Sequence, residues 1–241
     1  MSQKQILALS SSRAGNGAYL EPAIPFIEKF LSGKQRKIAF ISFASVDDNY
    51  EEYTSKVRAA LKDGSYSIKA TMPETAKSVI EKSDVIMVGG GNTFKLLHDV
   101  YQLNLLDIIR DKVNSGTAYI GWSAGANILG PTIGTTNDMP IIQPKSFNAL
   151  GLFPFQINPH YFNQKAEGFN GETRDQRLEE FLKMNSGIPI IALREGTALE
   201  LKNNQLKYIG NSNGFLFNAK KNEEGFVREE IHDNADLSFL L

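Results

Sequence analysis

Cysteine is absent from the 241 residues. That excludes disulfide frameworks, thiolate zinc sites, iron–sulfur clusters and cysteine nucleophiles. Charge of one sign is not in excess either: 26 Lys and Arg stand against 27 Asp and Glu, a net −1 with His neutral. A nucleic-acid binder ordinarily carries a basic patch, and no Lys/Arg run here is long enough to make one. No segment approaches the roughly 18 apolar residues of a membrane span. The first apolar stretch, Ile6–Leu9, is shorter than a signal-peptide core and reads better as a strand. A soluble, cytoplasmic protein is expected, with no nucleic-acid or membrane partner. Histidine is scarce, with three in all. H-E-x-x-H is missing and no two histidines lie close in sequence, so a metallohydrolase is not expected; the serine chemistry read below implies neither a metal nor an organic cofactor.

What is there is an ordinary globular composition, 41% hydrophobic, on a chain long enough to bury a sizeable core. Short apolar runs alternate with helical ones. Ile6–Ser10, Lys37–Phe43, Tyr66–Thr71, Asp84–Val88 and Ala118–Gly121 read as strands. Glu21–Leu31, Tyr50–Leu61, Glu74–Ser83, Phe94–Val100 and Leu103–Val113 read as helices between them. Strands separated by helices of about ten residues mean βαβ units and a mainly parallel, helix-flanked sheet. Ile188–Leu193 reads as another buried strand, Ala198–Leu201 and Leu206–Ile209 as a hairpin, and Phe215–Asn218 and Gly225–Glu229 as short extended pieces. The fold class is therefore α/β, with a smaller antiparallel element near the C-terminus. No repeat or linker divides the chain, so one domain over residues 1–241 is expected. The longest weakly patterned stretch, Gly130–Gln156, contains four prolines and reads as a long loop.

Ligands in open α/β sheets bind at the carboxyl ends of strands, and two places here suit that rule. One is Gly121-Trp122-Ser123-Ala124-Gly125, a G-x-S-x-G between a strand and a helix-compatible run. That is the context of a nucleophile elbow, with Ser123 exposed at a strained turn, near the positive end of the following helix. The N–H of Ala124 would then face a developing oxyanion. The plain alternative is a tight turn with Ser123 as helix cap. The other place is Gly89-Gly90-Gly91 after Val88. A P-loop Lys-Ser/Thr pair is missing, and the dinucleotide pattern would need glycine where Phe94 stands. What remains is a close-approach backbone, able to supply a second oxyanion donor from Gly90 or Gly91. Asn92 is a candidate substrate contact, its alternative being a helix cap.

A serine nucleophile needs a base, and histidine is the usual one. His98 lies in a helical run and His232 in the C-terminal tail. His160, in Asn158-Pro159-His160, ends a short apolar piece and is favoured by elimination, at the same sheet edge as Ser123. Two carboxylates could orient it: Glu195, just behind the buried Ile188–Leu193 run, or Asp138 in the loop after the elbow. Strand ends hold side chains better than loops, which favours Glu195. The plain readings are a surface ion pair for Glu195 and an Asx turn for Asp138.

Taken together, Gly89–Phe94, Gly121–Asn127, Asn158–His160, Gly171–Arg177 and Leu193–Gly196 resemble the peptidase E family, the α-aspartyl dipeptidases. These are serine peptidases on a fold like that of class I glutamine amidotransferases. The resemblance spans roughly residues 85–200, with the motifs in family order. It implies Ser123 as nucleophile, His160 as base, Glu195 or Asp138 as acid, and an oxyanion hole from Gly91 and Ala124. It implies a small peptide substrate with an N-terminal aspartate, whose carboxylate needs a cation. Arg174 and Arg177 are the candidates, Arg174 preferred; both could instead pair with acids on a helix surface. A cyanophycinase-like hydrolase of the same fold is one alternative, and a non-catalytic amidotransferase-like binding protein another.

Overall fold

Strand pairing sorts this chain into two sheets. The computed structural model describes residues 3–165, 167–168, 170–220 and 225–241. The first half runs β1 (Ile6–Leu9), α1 (Ile24–Leu31), β2 (Arg36–Ile41), α2 (Tyr50–Ala60), β3 (Tyr66–Ala70), α3 (Ala76–Glu81) and β4 (Val85–Val88). Then follow α4 (Thr93–Gln102), α5 (Leu106–Asn114), β5 (Ala118–Trp122), α6 (Ala124–Asn127), β6 (Gln156–Asn158) and α7 (Arg174–Met184). The remainder is strand: β7 (Ile190–Ala192), β8 (Thr197–Lys202), β9 (Gln205–Gly210), β10 (Gly214–Ala219) and β11 (Phe226–Ile231), closed by a 3-10 turn at Ser238–Leu240.

The larger sheet has seven strands in the order β3-β2-β4-β5-β1-β8-β9. The first five are mutually parallel, and the β8–β9 hairpin adds antiparallel strands alongside β1. Ile6 and Ala8 face one apolar cluster, Leu7 and Leu9 the other. Helices α3, α4 and α5 cover the first face through Ile80, Leu97 and Ile109. Helices α1 and α2 cover the second through Ile27, Phe30 and Val57. Burial on both faces is why these strands are uniformly apolar rather than alternating.

The smaller sheet has four strands in the order β11-β10-β7-β6, with β6 and β7 parallel and β10 antiparallel to both its neighbours. Helix α7 lies on one face, where Leu178 and Leu182 pack with Ile190, Phe215 and Phe217. From the other face Ile157, Ile191, Leu193 and Leu216 join the cluster under the larger sheet. The expected α/β class with a smaller C-terminal β element is thus found. Two local expectations are corrected. The run after Ser123 makes a helix of only four residues, α6, too short to carry an appreciable dipole. The strands preceding His160 and Glu195 belong to the smaller sheet, not to the sheet that carries Ser123. Periodicity identifies a buried strand but is blind to which sheet it joins, since that depends on non-local pairing. Among the described residues no helix is long and apolar enough to cross a membrane.

Candidate active site

Adjacent parallel strands bring the two glycine motifs together. In the β4–β5 register Val88 lies opposite Gly121, so Gly89–Gly91 and Ser123 emerge side by side at the carboxyl edge. Ser123 has φ 54° and ψ −115°, a conformation that L residues adopt only under local compulsion. The compulsion is steric. A Cβ on Gly121 would fall 2.3 Å from the Gly125 carbonyl oxygen, and one on Gly125 would fall 2.3 Å from that of Val88. A Cβ on Gly90 would meet the Cβ of Ser123 at 2.9 Å. No side chain fits at any of the three, and the turn is held open for the serine alone. Ala124 is the first residue of α6, so its N–H has no carbonyl one turn behind it.

Gly90 is anchored from below. Its carbonyl accepts a 3.0 Å hydrogen bond from the Tyr53 hydroxyl, which in turn accepts one from Trp122 Nε1 at 3.3 Å. Every peptide bond described is trans, so drawing the Gly90 carbonyl inward aims the Gly91 N–H the opposite way, outward. Burial raises the Tyr53 pKa, which keeps the phenol protonated as a donor. Tyr53→Phe is expected to lower kcat about tenfold on a cleavable substrate with KM changed less than threefold. Stopped-rate assays on the purified variant would test this, since loss of one fixed donor's alignment acts on the transition state.

His160 reaches this edge from the smaller sheet. Its own φ is 52°, again left-handed. The tie to the serine runs through β1: the Ser123 N–H donates to the Leu9 carbonyl at 3.2 Å, and the His160 N–H donates to the next residue, Ser10 Oγ, at 3.0 Å. Ser10 Oγ donates a hydrogen bond to the Leu193 carbonyl at 2.9 Å. A single buried hydroxyl thus pins the larger sheet to both loops of the smaller one. Nothing in the sequence singles out Ser10 beyond its place at the end of a strand. Asn158 and Asn137 add a second clamp: Asn158 Nδ2 donates to Asn137 Oδ1 and to the Thr135 carbonyl, each at 2.8 Å, and Asn137 Nδ2 donates to the Pro159 carbonyl at 2.8 Å.

The two candidate carboxylates part company. Glu195 Oε1 lies 3.0 Å from His160 Nδ1, because β6 and β7 are parallel neighbours whose carboxyl ends carry the two residues. The ring is 40% exposed and the carboxylate 49%, so water screens the pair. Asp138 points elsewhere. Its Oδ2 accepts from the Thr93 N–H at 2.7 Å, from Thr93 Oγ1 at 2.5 Å and from Thr136 Oγ1 at 3.1 Å. It thereby completes the N-terminus of α4 and ties the long loop to it. Asn92 is engaged at both ends of its amide, as cap acceptor for the Lys95 N–H and as donor to the Met139 carbonyl.

Arg174 opens α7 behind a capping box made by Thr173 and Gln176. Its Nη1 is buried without a hydrogen-bond partner among the described residues. Burial, then the neighbouring Arg177 charge, pull its pKa down, though a guanidinium still stays charged. Asp175 is spent on other groups: it accepts from the Tyr161 hydroxyl at 2.5 Å and from Arg228 Nη1 at 2.7 Å. Burial and that carboxylate push the Tyr161 pKa up to about 12. Of the other histidines, His98 rests on α4 against Asp99, and His232 is exposed beyond β11. Among the described residues no cluster of three or more His, Asp or Glu side chains could hold a metal ion.

A serine at a strained strand–helix turn, backbone N–H groups beside it, and a histidine–carboxylate pair on a mainly parallel sheet make the arrangement of an α/β serine hydrolase. The chain belongs to peptidase family S51, whose model matches residues 6–209, and it is accordingly a serine-type peptidase. It is 46% identical to peptidase E of Nostoc sp. over 99% of this chain and 97% of that one. It is 51% identical to peptidase E of Shewanella denitrificans over 90% and 92%. With peptidase E of Haemophilus influenzae the identity is 48% over 88% and 99%. Among solved structures, a protein from Listeria monocytogenes described as a candidate peptidase E superposes with TM-score 0.66 at 24% identity. That match covers 88% of this chain and all of the other, and it bears on the fold alone.

Proposed function

We propose that this S51 peptidase hydrolyses dipeptides with an N-terminal aspartate through an acyl-enzyme on Ser123. Ser123 Oγ attacks the aspartyl carbonyl carbon while His160 takes its proton. The carbonyl oxygen, now negative, is received by the N–H groups of Gly91 and Ala124. His160 returns the proton to the leaving amine as the peptide bond breaks. Water, deprotonated by the same imidazole, then attacks the ester, and His160 returns that proton to Ser123 Oγ as the ester bond breaks and aspartate leaves. Glu195 holds the imidazole tautomer and offsets the imidazolium charge. The observation that carries this reading is the 3.0 Å contact of Glu195 on His160, with His160 and Ser123 both hydrogen-bonded to the Leu9–Ser10 pair.

Arg174 takes the aspartate side chain in this reading. A buried guanidinium nitrogen with no partner supports that role, because an orphaned charged donor is costly unless a ligand fills it. Asp138 is a structural acid here. Asn92, its amide committed at both ends, acts on substrate only through the loop it holds. A cytoplasmic setting and a small-peptide partner belong to the same reading, which needs no cofactor.

The test is hydrolysis of Asp-Leu beside Glu-Leu, Ala-Leu and the β-linked isoaspartyl isomer, with mass-spectrometric location of a serine-directed reagent. Turnover of Asp-Leu alone, with the label on Ser123, is expected. No turnover and no label on folded protein would leave a non-catalytic binding protein. Turnover of an aspartate–arginine polymer without dipeptide turnover would shift the chain to a cyanophycinase-like hydrolase.

A further inference from the structure

A cleft of about 660 Å³ opens from His160 and Glu195 and runs along the smaller sheet between Arg194, Phe215 and Arg228. Its volume suits a small-molecule site. The mechanism above uses only its inner end. The two arginines differ in what they have left to offer. Arg228 is neutralised by Asp175 at 2.7 Å. Arg194 makes no ion pair among the described residues. Its guanidinium carbon instead lies 5.4 Å from the centroid of Phe215, whose ring also has Arg228 at 4.9 Å. An aromatic face holds a guanidinium in place by cation–π attraction without consuming its N–H donors. Arg194 is therefore oriented, exposed and unpaired, on the cleft side of the catalytic histidine. The nearest acids do not take it: Glu195 is on His160, and Glu230 accepts from Asn213 Nδ2 at 3.5 Å.

We infer that this cleft is the leaving-residue subsite, and that Arg194, backed by Phe215, binds the free C-terminal carboxylate of the dipeptide. The inference rests on the reading that His160 protonates the leaving amine. That step puts the nitrogen of the second residue against the imidazole. Its carboxylate carbon lies two bonds further on, about 2.5 Å from the nitrogen. It therefore falls just inside the cleft that His160 opens, where a bidentate fork is the matching donor. The substrate carries two carboxylates: in this reading Arg174 meets the aspartate side chain and Arg194 the chain terminus. Selection for dipeptides follows, since a longer peptide presents a neutral amide where Arg194 expects a carboxylate.

Steady-state kinetics on Asp-Leu and Asp-Leu amide, with wild type, Arg194→Gln and Arg194→Lys, test this. Wild type is expected to favour the acid by about 10- to 100-fold in kcat/KM, the range for a charge-assisted pair. In Arg194→Gln that preference is expected to fall to within about threefold of unity, the loss appearing in KM, and Arg194→Lys should restore part of it. Equal cleavage of acid and amide by wild type overturns the inference. So does a preference that survives Arg194→Gln, including the case in which that variant loses activity equally on both substrates, the mark of a structural role. Wild type inert on both would instead remove the peptidase reading itself, and the subsite with it.

Discussion

Ser123→Ala is expected to lower kcat on Asp-Leu by about a millionfold while leaving the fold intact. The magnitude follows from the way nucleophile and base act as one unit, so that loss of either forfeits nearly the whole covalent route. The fold should survive because Ser123 contributes its backbone, not its hydroxyl, to the packing: its N–H reaches Leu9 and its carbonyl accepts from Ala126 and Asn127. Alanine keeps the Cβ and still has to adopt φ 54°. Circular dichroism and thermal melting beside the rate assay make the result interpretable. A native-like variant with a residual rate within a hundredfold of wild type would show that another group attacks.

Glu195→Gln is expected to lower kcat by about a hundred- to a thousandfold, and Asp138→Asn by less than threefold. A carboxylate that fixes the tautomer of a catalytic histidine carries several orders of magnitude in a fully buried triad. The half-exposed Glu195–His160 pair is partly screened, so the lower part of that range applies here. Glutamine keeps the size and can still meet Nδ1, yet its carbonyl cannot offset an imidazolium charge. Asp138→Asn acts on a different quantity. It removes a negative charge from the N-terminus of α4 while leaving one oxygen to accept from Thr93. A helix-terminal charge contributes about 0.3–1 kcal/mol, so a melting temperature lower by about 1–4 °C is the expected signature. Reversed ranks, with Asp138→Asn the inactive variant, would reassign the acid and leave Glu195 as a surface partner.

Several parts of this arrangement are legible in the residues alone. Apolar runs bounded by turn residues locate most of the strands, because burial on both faces leaves no room for polar side chains. Gly121 and Gly125 around Ser123 announce a turn that only glycine permits, and the 2.3 Å approaches give the reason. The helix after the elbow illustrates the opposite case. Gly125-Ala126-Asn127 is compatible with a long helix, yet α6 stops after one turn. Asn127 is buried and spends its amide on the Ile157 carbonyl at 2.8 Å, a partner thirty residues away that no local pattern encodes.

The acid shows where local reasoning ends. Glu195 and Asp138 are both carboxylates near plausible strand or loop ends, and the chain contains no local signal that ranks them decisively. The difference arises from strand pairing. β6 lies parallel to β7, which sets His160 beside Glu195, and the long loop folds back on α4, which commits Asp138 to Thr93. The same holds for the contacts of Ser10 with His160, of Tyr53 with Gly90 and of Trp122 with Tyr53, which span as many as 150 residues.

By itself the sequence determined the chemistry available to this protein: a serine with no cysteine to replace it, one well-placed histidine, glycines where a backbone must pass close, and a parallel α/β scaffold. These are local matters, set by side-chain chemistry, burial period and backbone sterics. Only the tertiary structure decided which carboxylate meets His160, that the serine and histidine come from different sheets, and that Arg194 stands over Phe215 with no ion pair among the described residues. Those depend on which distant segments pair and in what register, and register is settled by the packing of the whole core.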